Sequence, residues 1–557
     1  MSVNVVPLHE QLVGKVRKPL IVVLASVAIL LLIACVNVAN LLLSRASSRR
    51  KEMAIRAALG ASRVRLVRQL LTESLVLSLV GGLLGLLFAV YGTTLLVHFI
   101  PDPSILPRLD QISVDTATVG VTALIAIATA LLFGLAPAVE ASRADLQNVL
   151  RSSSRGATHG RGGKRFRDVL VAAEIALAVV LLVSAGLLLR SFRQLIEIDP
   201  GVQPERAITM KVSIPFSAYK EQPKRFAFYE DLFGRLRAVP GVTSVGATGM
   251  MPFTGPGRRD GIQIEGRPAD APGDGPGADQ AIVGGDYFRA MGIRLIAGRL
   301  FEPRDATRRT FVVSEELVKK YFPNENPIGR RLTVAEDLGP VGDQRTGEII
   351  GVVGGVRAAG LDKEPYQAMY LHYGLSPGTK MTVIARTTAD PEALAGTAAK
   401  IIRTMDPNVT VSEVKTLDAL VMKTIARPKF NASLLTLFSA LGLILAAIGI
   451  YGVLSYSVSQ RTQEIGVRMA LGAQPRQVMS LVSREGMRIA LLGLLAGTAG
   501  ALAATRLLRS LLYGVSATDP IVLLFVWIGV ALVAFFATYL PARRATRVDP
   551  LVALRAE

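Results

Sequence analysis

The sequence predicts an α-helical membrane protein of about seven spans, built on a duplicated unit, with one α+β domain outside the membrane. Three observations carry that prediction. Seven apolar stretches approach or exceed the length needed to cross a bilayer, basic residues crowd every second connecting loop, and two segments 412 residues apart share a motif.

Of the 557 residues, 50% are apolar and 19% charged, and the mean hydropathy is +0.42. A soluble protein is rarely so apolar, and a chain lying wholly in lipid is rarely so charged. The net charge of +20 would suggest nucleic acid in a soluble protein. Here the basic residues flank apolar runs, so membrane topology accounts for them and no nucleic-acid partner is expected. Cys35 is the one cysteine and lies in an apolar run, and the four histidines are scattered. An intrachain disulfide is excluded, and a zinc or histidine-based metal site is not expected.

The predicted spans run from Leu20 to Leu43, Leu70 to Ile100, Val114 to Ala136, Val169 to Leu189, Ala432 to Val458, Gly486 to Leu512 and Ile521 to Leu540. The loops after the first, third and fifth spans are rich in arginine, including Arg45, Arg56, Arg151, Arg167, Arg461 and Arg468, and so is the tail from Arg543. Those loops are therefore cytoplasmic. The long region after the fourth span, Arg190 to Lys429, falls outside, and so does the amino terminus.

The repeat pairs EMAIRAALGA at 52–61 with EIGVRMALGA at 464–473. The same offset relates Glu73 to Glu485, Gly81 to Gly493 and Gly85 to Gly497, and the exits PAVEASRADLQNVLR and PARRATRVDPLVALR also correspond. Glu52 and Arg56, like Glu464 and Arg468, are spaced to bridge along one helix face. Gly60 and Gly472 suit a left-handed helix end, with Ser62 and Pro475 opening the next helix. Asp145 and Asp549 suit N-caps. Each motif thus predicts a short amphipathic cytoplasmic helix, a tight corner and a span. From the residues alone, a helix resting on the membrane and a helix docking a protein are equally open.

Gly81 with Gly85 and Gly493 with Gly497 are G-x-x-x-G pairs that permit close helix packing. Glu73 and Glu485 lie near cytoplasmic span ends, where an interfacial role outweighs an ion path.

Residues 191–427 alternate strand and helix patterns. Strands are predicted at Ala207–Ile214, Val242–Gly249, Phe311–Val313, Gly347–Val356 and Lys380–Ala385, and helices at Phe226–Ala238, Ser314–Phe322 and Pro391–Met405. Pro252–Gly277, rich in Gly, Pro and Asp, predicts a loop. Glu302 and Asp305 predict solvated turn residues, and Tyr287, Phe288, Tyr321 and Phe322 predict packing rather than a ligand cage. The chain has no G-x-x-x-x-G-K-[ST] phosphate loop and no Ser/His/Asp set in usable order, so no catalytic residue is assigned.

The motif E-[IM]-[AG]-[IV]-R-x-A-L-G-A after a span, the Pro-Ala-x-x-Ala exits and the α+β outer domain together resemble the FtsX/MacB-type ABC permeases. VGGDYFRAMGIRLIAGRLF (283–301), VVSEELVKKYFPNENPIGRRL (312–332) and IIGVVGGVRAAGLDKEPYQAMYLHY (349–373) look like the MacB-like periplasmic core domain, and the doubling resembles duplicated orphan permeases of acidobacterial type.

The resemblance implies a partition. Residues 1–19 would end a preceding periplasmic segment, 20–150 would form a first FtsX-like unit of three spans and 151–168 a basic cytoplasmic linker. Residues 169–190 would be a span, 191–429 the periplasmic core domain and 430–557 a second unit of three spans. The first unit would then lack its opening span and periplasmic domain.

The resemblance also implies coupling helices carrying Glu52, Arg56, Leu59, Gly60, Ala61, Glu464, Arg468, Leu471, Gly472 and Ala473, which dock a separate dimeric ATPase. ATP would be used by that partner and no cofactor bound by this chain. Membrane lipid and a periplasmic adaptor or substrate protein complete the implied partners. Efflux or mechanotransmission across an inner membrane follows as the expected function, with an ATP-independent scaffold or sensor as the alternative. A secondary transporter ranks last, because the spans offer few ionisable groups.

Overall fold

The computed structural model describes residues 7–48, 56, 62–99, 113–142, 161–255, 257–267, 276–334, 346–460, 467, 469, 471 and 474–546. They divide into two compact units, one made of Arg193–Arg427 and the other of Val6–Phe192 with Pro428–Glu557.

The helical unit contains α1 (Leu8–Ser48), α2 (Arg63–Phe99), α3 (Thr116–Ser142) and α4 (Arg161–Ile196). After the outer domain come its remaining long helices, which start at Ala426, Pro475 and Pro520. An apolar run in lipid becomes helical because only intrahelical bonds satisfy its backbone there. Six helices among the described residues are long and apolar enough to span: Arg17–Leu42, Val67–Leu95, Arg165–Ile196, Ala426–Ser459, Pro475–Leu508 and Pro520–Arg544. The expected span at Val114–Ala136 lies in α3, whose described apolar stretch, Thr116–Leu131, is shorter. Several helices outrun their predicted ends. α1 starts at Leu8 and passes through Pro19, and the helix from Pro520 continues through Pro541, the predicted exit, to Ala545. Hydropathy marks only the part of a helix that needs lipid, whereas the hydrogen-bond ladder continues into polar flanks.

The outer unit holds β1 (Ala207–Ser213), α5 (Gln222–Arg237), β2 (Val242–Thr248), β3 (Arg258–Ile264), β4 (Gly277–Gly285), α6 (Tyr287–Met291), β5 (Leu295–Gly298) and β6 (Thr310–Ser314). There follow α7 (Glu315–Tyr321), β7 (Arg331–Val334), β8 (Thr346–Val353), β9 (Ala368–His372), β10 (Lys380–Thr387), α8 (Pro391–Met405), β11 (Thr410–Thr416) and α9 (Leu417–Thr424). The strand order is β11-β1-β10-β2-β4-β3-β7-β8-β6-β9, with β5 on β8 and β9 also parallel to β4. That last pairing closes β4, β3, β7, β8, β6 and β9 into a ring, which removes their free edges.

Two cores result. In one, Tyr229, Leu232, Phe233 and Leu236 of α5 recur at helical spacing and pack with Ala398 and Ile402 of α8 on Ile208, Met210 and Val212 of β1. In the other, inside the ring, Phe311, Val313, Leu332, Ile349 and Leu371 alternate inward, as strand geometry requires.

All the predicted strands and helices of this domain are present, although Pro252–Gly277 is not wholly loop, because β3 forms within it. Tyr287, Phe288 and Phe322 are buried, as packing residues should be. Asp305 corrects its expectation. Rather than being solvated it is fully buried, taking two bonds from Arg299 at 2.6 and 3.0 Å and one from the Glu302 N–H at 2.8 Å. Burial pushes its carboxyl up, but the Arg299 guanidinium and the Glu302 N–H outweigh that and hold it below the usual carboxylate range.

Candidate coupling corner and helix packing

The last three long helices are α10 (Ala426–Gln460), α11 (Pro475–Leu508) and α12 (Pro520–Ala545). Between α10 and α11 the described residues form a helical turn, in which the N–H of Leu471 donates to the Val467 carbonyl at 3.0 Å. Pro475 takes the first helical position of α11, where a missing N–H costs nothing. Gln474 caps the helix reciprocally with Gln477, a residue type that the Ser/Thr/Asp/Asn rule for N-caps does not single out.

The corner has two faces. Met469 packs with Val458 and Val478, tying α10 to α11, whereas Leu471 is 82% exposed. In the first half, Arg56 donates to Gln69 of α2 at 3.0 Å, and Ser62 accepts from the Arg65 N–H at 3.4 Å at the start of α2. Glu52, Leu59, Gly60, Ala61, Glu464, Arg468, Gly472 and Ala473 lie outside the described residues, as do Asp145 and Asp549.

The two glycine pairs are placed differently. A methyl on Gly493 would come within 2.7 Å of both the Ala172 carbonyl oxygen and Ile175 Cβ. On Gly497 it would meet the Ala176 carbonyl oxygen and Val179 Cβ, also at 2.7 Å. α11 therefore lies against the backbone of α4 at these positions, which only glycine allows. A methyl on Gly81 or Gly85 would meet no described atom outside its own helix backbone within 4 Å. The packing face of α2 is turned by one residue, so that a methyl on Gly82 would lie 3.5 Å from Ala126 Cβ of α3, an ordinary contact.

Two polar features were not singled out from the sequence. At the outer end of the helical unit, Asp519 caps α12 through the N–H groups of Ile521 (3.0 Å) and Val522 (3.2 Å) and also pairs with Arg190 of α4. The neighbouring Ser191 accepts from the Tyr513 N–H at 2.7 Å. Inside the helices, Glu174 of α4 is fully buried against Asn37 of α1. The signal for Glu174 was a lone carboxylate in the run VLVAAEIALAVV. Arg190 and Asp519 meet only in the fold, 329 residues apart in the chain.

Comparison with known proteins fits this arrangement. Residues 24–146 and 436–550 match the FtsX-like permease C-terminal family, and residues 116–401, half of the chain, match the MacB-like periplasmic core domain. The chain is 27% identical over 285 residues to the macrolide export ATP-binding/permease protein MacB 2 of Aeromonas hydrophila, covering 49% of this chain and 43% of that protein. It is 29% identical over 291 residues to a macrolide export ATP-binding/permease protein MacB of Bordetella avium, covering 49% and 42%. The chain thus spans less than half the length of these relatives. Among solved structures, the periplasmic region of MacB from Actinobacillus actinomycetemcomitans aligns at 14% identity with a TM-score of 0.27, over 41% of this chain and 97% of that one. The extracellular domain of the transporter YknZ aligns at 17% identity with a TM-score of 0.25, over 37% and 100%. With permease segments on either side of a MacB-like core domain, the chain belongs to the MacB/FtsX-type ABC transporter permeases.

Proposed function

We propose that this chain is the membrane subunit of an ABC-type efflux or mechanotransmission system, in which a separate dimeric ATPase drives movement of the domain at 191–429 in the periplasm. The observation that carries the reading is the repeated motif at 52–61 and 464–473, one copy within each family-matched permease segment. The two segments are read as a duplicated unit, with each motif a docking helix. ATP is bound by the partner. Leu471 supports the reading, because an apolar side chain so exposed is available to a partner surface.

The route of force follows from connectivity. α4 leads directly into β1, and α9 into α10, so a shift of either long helix reaches the outer domain through the chain. Contacts at Gly493 and Gly497, together with the Arg190–Asp519 pair, bind α4 to α11 and α12 as one lever. A displacement at the α10–α11 corner would thereby be carried to the outer end of α4.

The test is co-purification of the full chain with its ATPase, and ATP hydrolysis by the complex. Arg56→Glu with Arg468→Glu should abolish association and chain-dependent hydrolysis while leaving the chain folded. Unchanged association and hydrolysis would overturn the coupling role and favour a membrane scaffold that works without ATP.

A further inference from the structure

Glu174 lies on α4 seven residues after Arg167, about 10 Å along the helix and so inside the span. It is fully buried. Its Oε1 accepts from Asn37 Nδ2, which also donates to the Leu445 carbonyl of α10 at 3.0 Å, and its Oε2 has no partner among the described residues.

The place is built from three helices. Asn37 and Gly449 are related by the same 412-residue offset as the two motifs, so matching positions of α1 and α10 meet here, with the carboxyl of α4 between them. Gly449 is required. A methyl there would sit 2.3 Å from Glu174 Oε2 and 3.0 Å from Asn37 Oδ1. One turn nearer the cytoplasmic end of α1, the amide of Asn40 is buried with both polar atoms unpartnered, a second polar station on the same side.

Along the surrounding helices the titratable groups within about two turns of this level are Cys35 on α1, Tyr451 and Tyr456 on α10, Arg484, Glu485 and Arg488 on α11, and Arg167 and Asp168 on α4 itself. Tyr451 is engaged by Arg544 at 2.6 Å, and Arg167 lies 4.5 Å from the Tyr456 ring centre. Among the described residues Asn37 alone bonds to Glu174. An ionised carboxylate so placed would be buried without a counter-charge, which strongly disfavours the charged form. One proton on Oε2 removes that charge, and the close approach of Gly449 to Oε2 leaves no room for a bulkier ligand without moving α1 or α10.

We propose that Glu174 is a proton-binding site within the membrane, taking up one proton to become a neutral carboxylic acid that lets α1, α4 and α10 close together. Loss of the proton leaves a bare carboxylate between α1 and α10 and drives them apart. The site depends on none of the ATPase-docking residues, so it stands or falls separately from the coupling role.

The test uses the full chain in lipid nanodiscs. The infrared spectrum at neutral pH should contain the C=O stretch of a buried carboxylic acid, which is lost in Glu174→Gln and shifted in Asn37→Leu, where its hydrogen bond is gone. Raising the pH from about 6 to about 9 should lower the melting midpoint of the wild type and leave Glu174→Gln unchanged. Identical spectra and pH profiles for wild type and Glu174→Gln would overturn the proposal. So would a missing acid band together with a sodium-dependent rise in midpoint that Glu174→Gln loses, which would make the site one for a metal cation.

Discussion

α11 and α2 carry the same G-x-x-x-G pair at matching positions of the repeat, yet they do opposite things with it. α11 presses Gly493 and Gly497 onto the backbone of α4, whereas a methyl on Gly81 or Gly85 of α2 would meet no described atom outside its own helix backbone within 4 Å. Burial follows the same division. About a third (33%) of the most apolar stretch of α11 is buried within the protein, and none of that of α2. The difference shows what a glycine pair encodes in a membrane. Lipid is as apolar as leucine, so an apolar face gains little by finding a protein neighbour, and association rests on close backbone approach and polar contacts. The pair permits that approach but does not supply the second helix.

The sharpest way to break the comparison is to fill the glycines. Gly497→Val should cost about 3 kcal/mol, because its Cβ would collide with a backbone carbonyl that cannot swing aside. Gly85→Val, with open space around it, should change the unfolding free energy in detergent by no more than about 0.5 kcal/mol. Equal destabilisation by both would mean that the face of α2 is as tightly packed as that of α11.

The outer ends of the two halves offer a second contrast. Asp115 caps α3 with Thr118 as its partner, accepting from the N–H at 2.8 Å and the hydroxyl at 2.6 Å. Asp519 caps α12 in the same way but also holds Arg190, which fixes α4. Asp519→Ala should therefore cost about 2 kcal/mol, the cap and the partly exposed ion pair together. Asp115→Ala should give a visibly smaller fall in midpoint. Arg190→Met, which spares the cap, should fall between unchanged and Asp519→Ala. A fall as large as that of Asp519→Ala would make the pair, not the cap, the dominant contribution.

The long apolar helices, the predicted strands of the outer domain and the helices at Gln222–Arg237 and Pro391–Met405 were legible because each is fixed by local periodicity. β11 was not, since its residues are largely exposed and it is held by pairing with β1, more than 190 residues earlier in the chain. β3 was hidden by the turn-forming composition around it. Of the candidate site, the Pro475 start and the glycine faces of α11 could be read from spacing. The Arg190–Asp519 and Asn37–Glu174 contacts could not, because nothing local says which helix lies beside which. Asp305 looked like a loop acid for the same reason. Its burial is created by Arg299 and the backbone folding over it.

The smallest effect on stability should come from the corner, where the comparison between the halves can be sharpened on the cytoplasmic side. Leu471 is 82% exposed, so Leu471→Ala should leave the unfolding free energy within about 0.5 kcal/mol of wild type. If the corner docks an ATPase, the same substitution should weaken that association about tenfold, the loss expected when one apolar side chain leaves an interface centre. Leu59, at the matching position of the first motif, supplies the control. Equal weakening by Leu59→Ala would show two equivalent cytoplasmic docking points on halves that pack unequally within the membrane. Weakening by Leu471→Ala alone would show that the inequality between α2 and α11 extends to the partner surface. No weakening by either would remove the exposed leucine from the coupling reading and leave the charged residues of the motif to carry it.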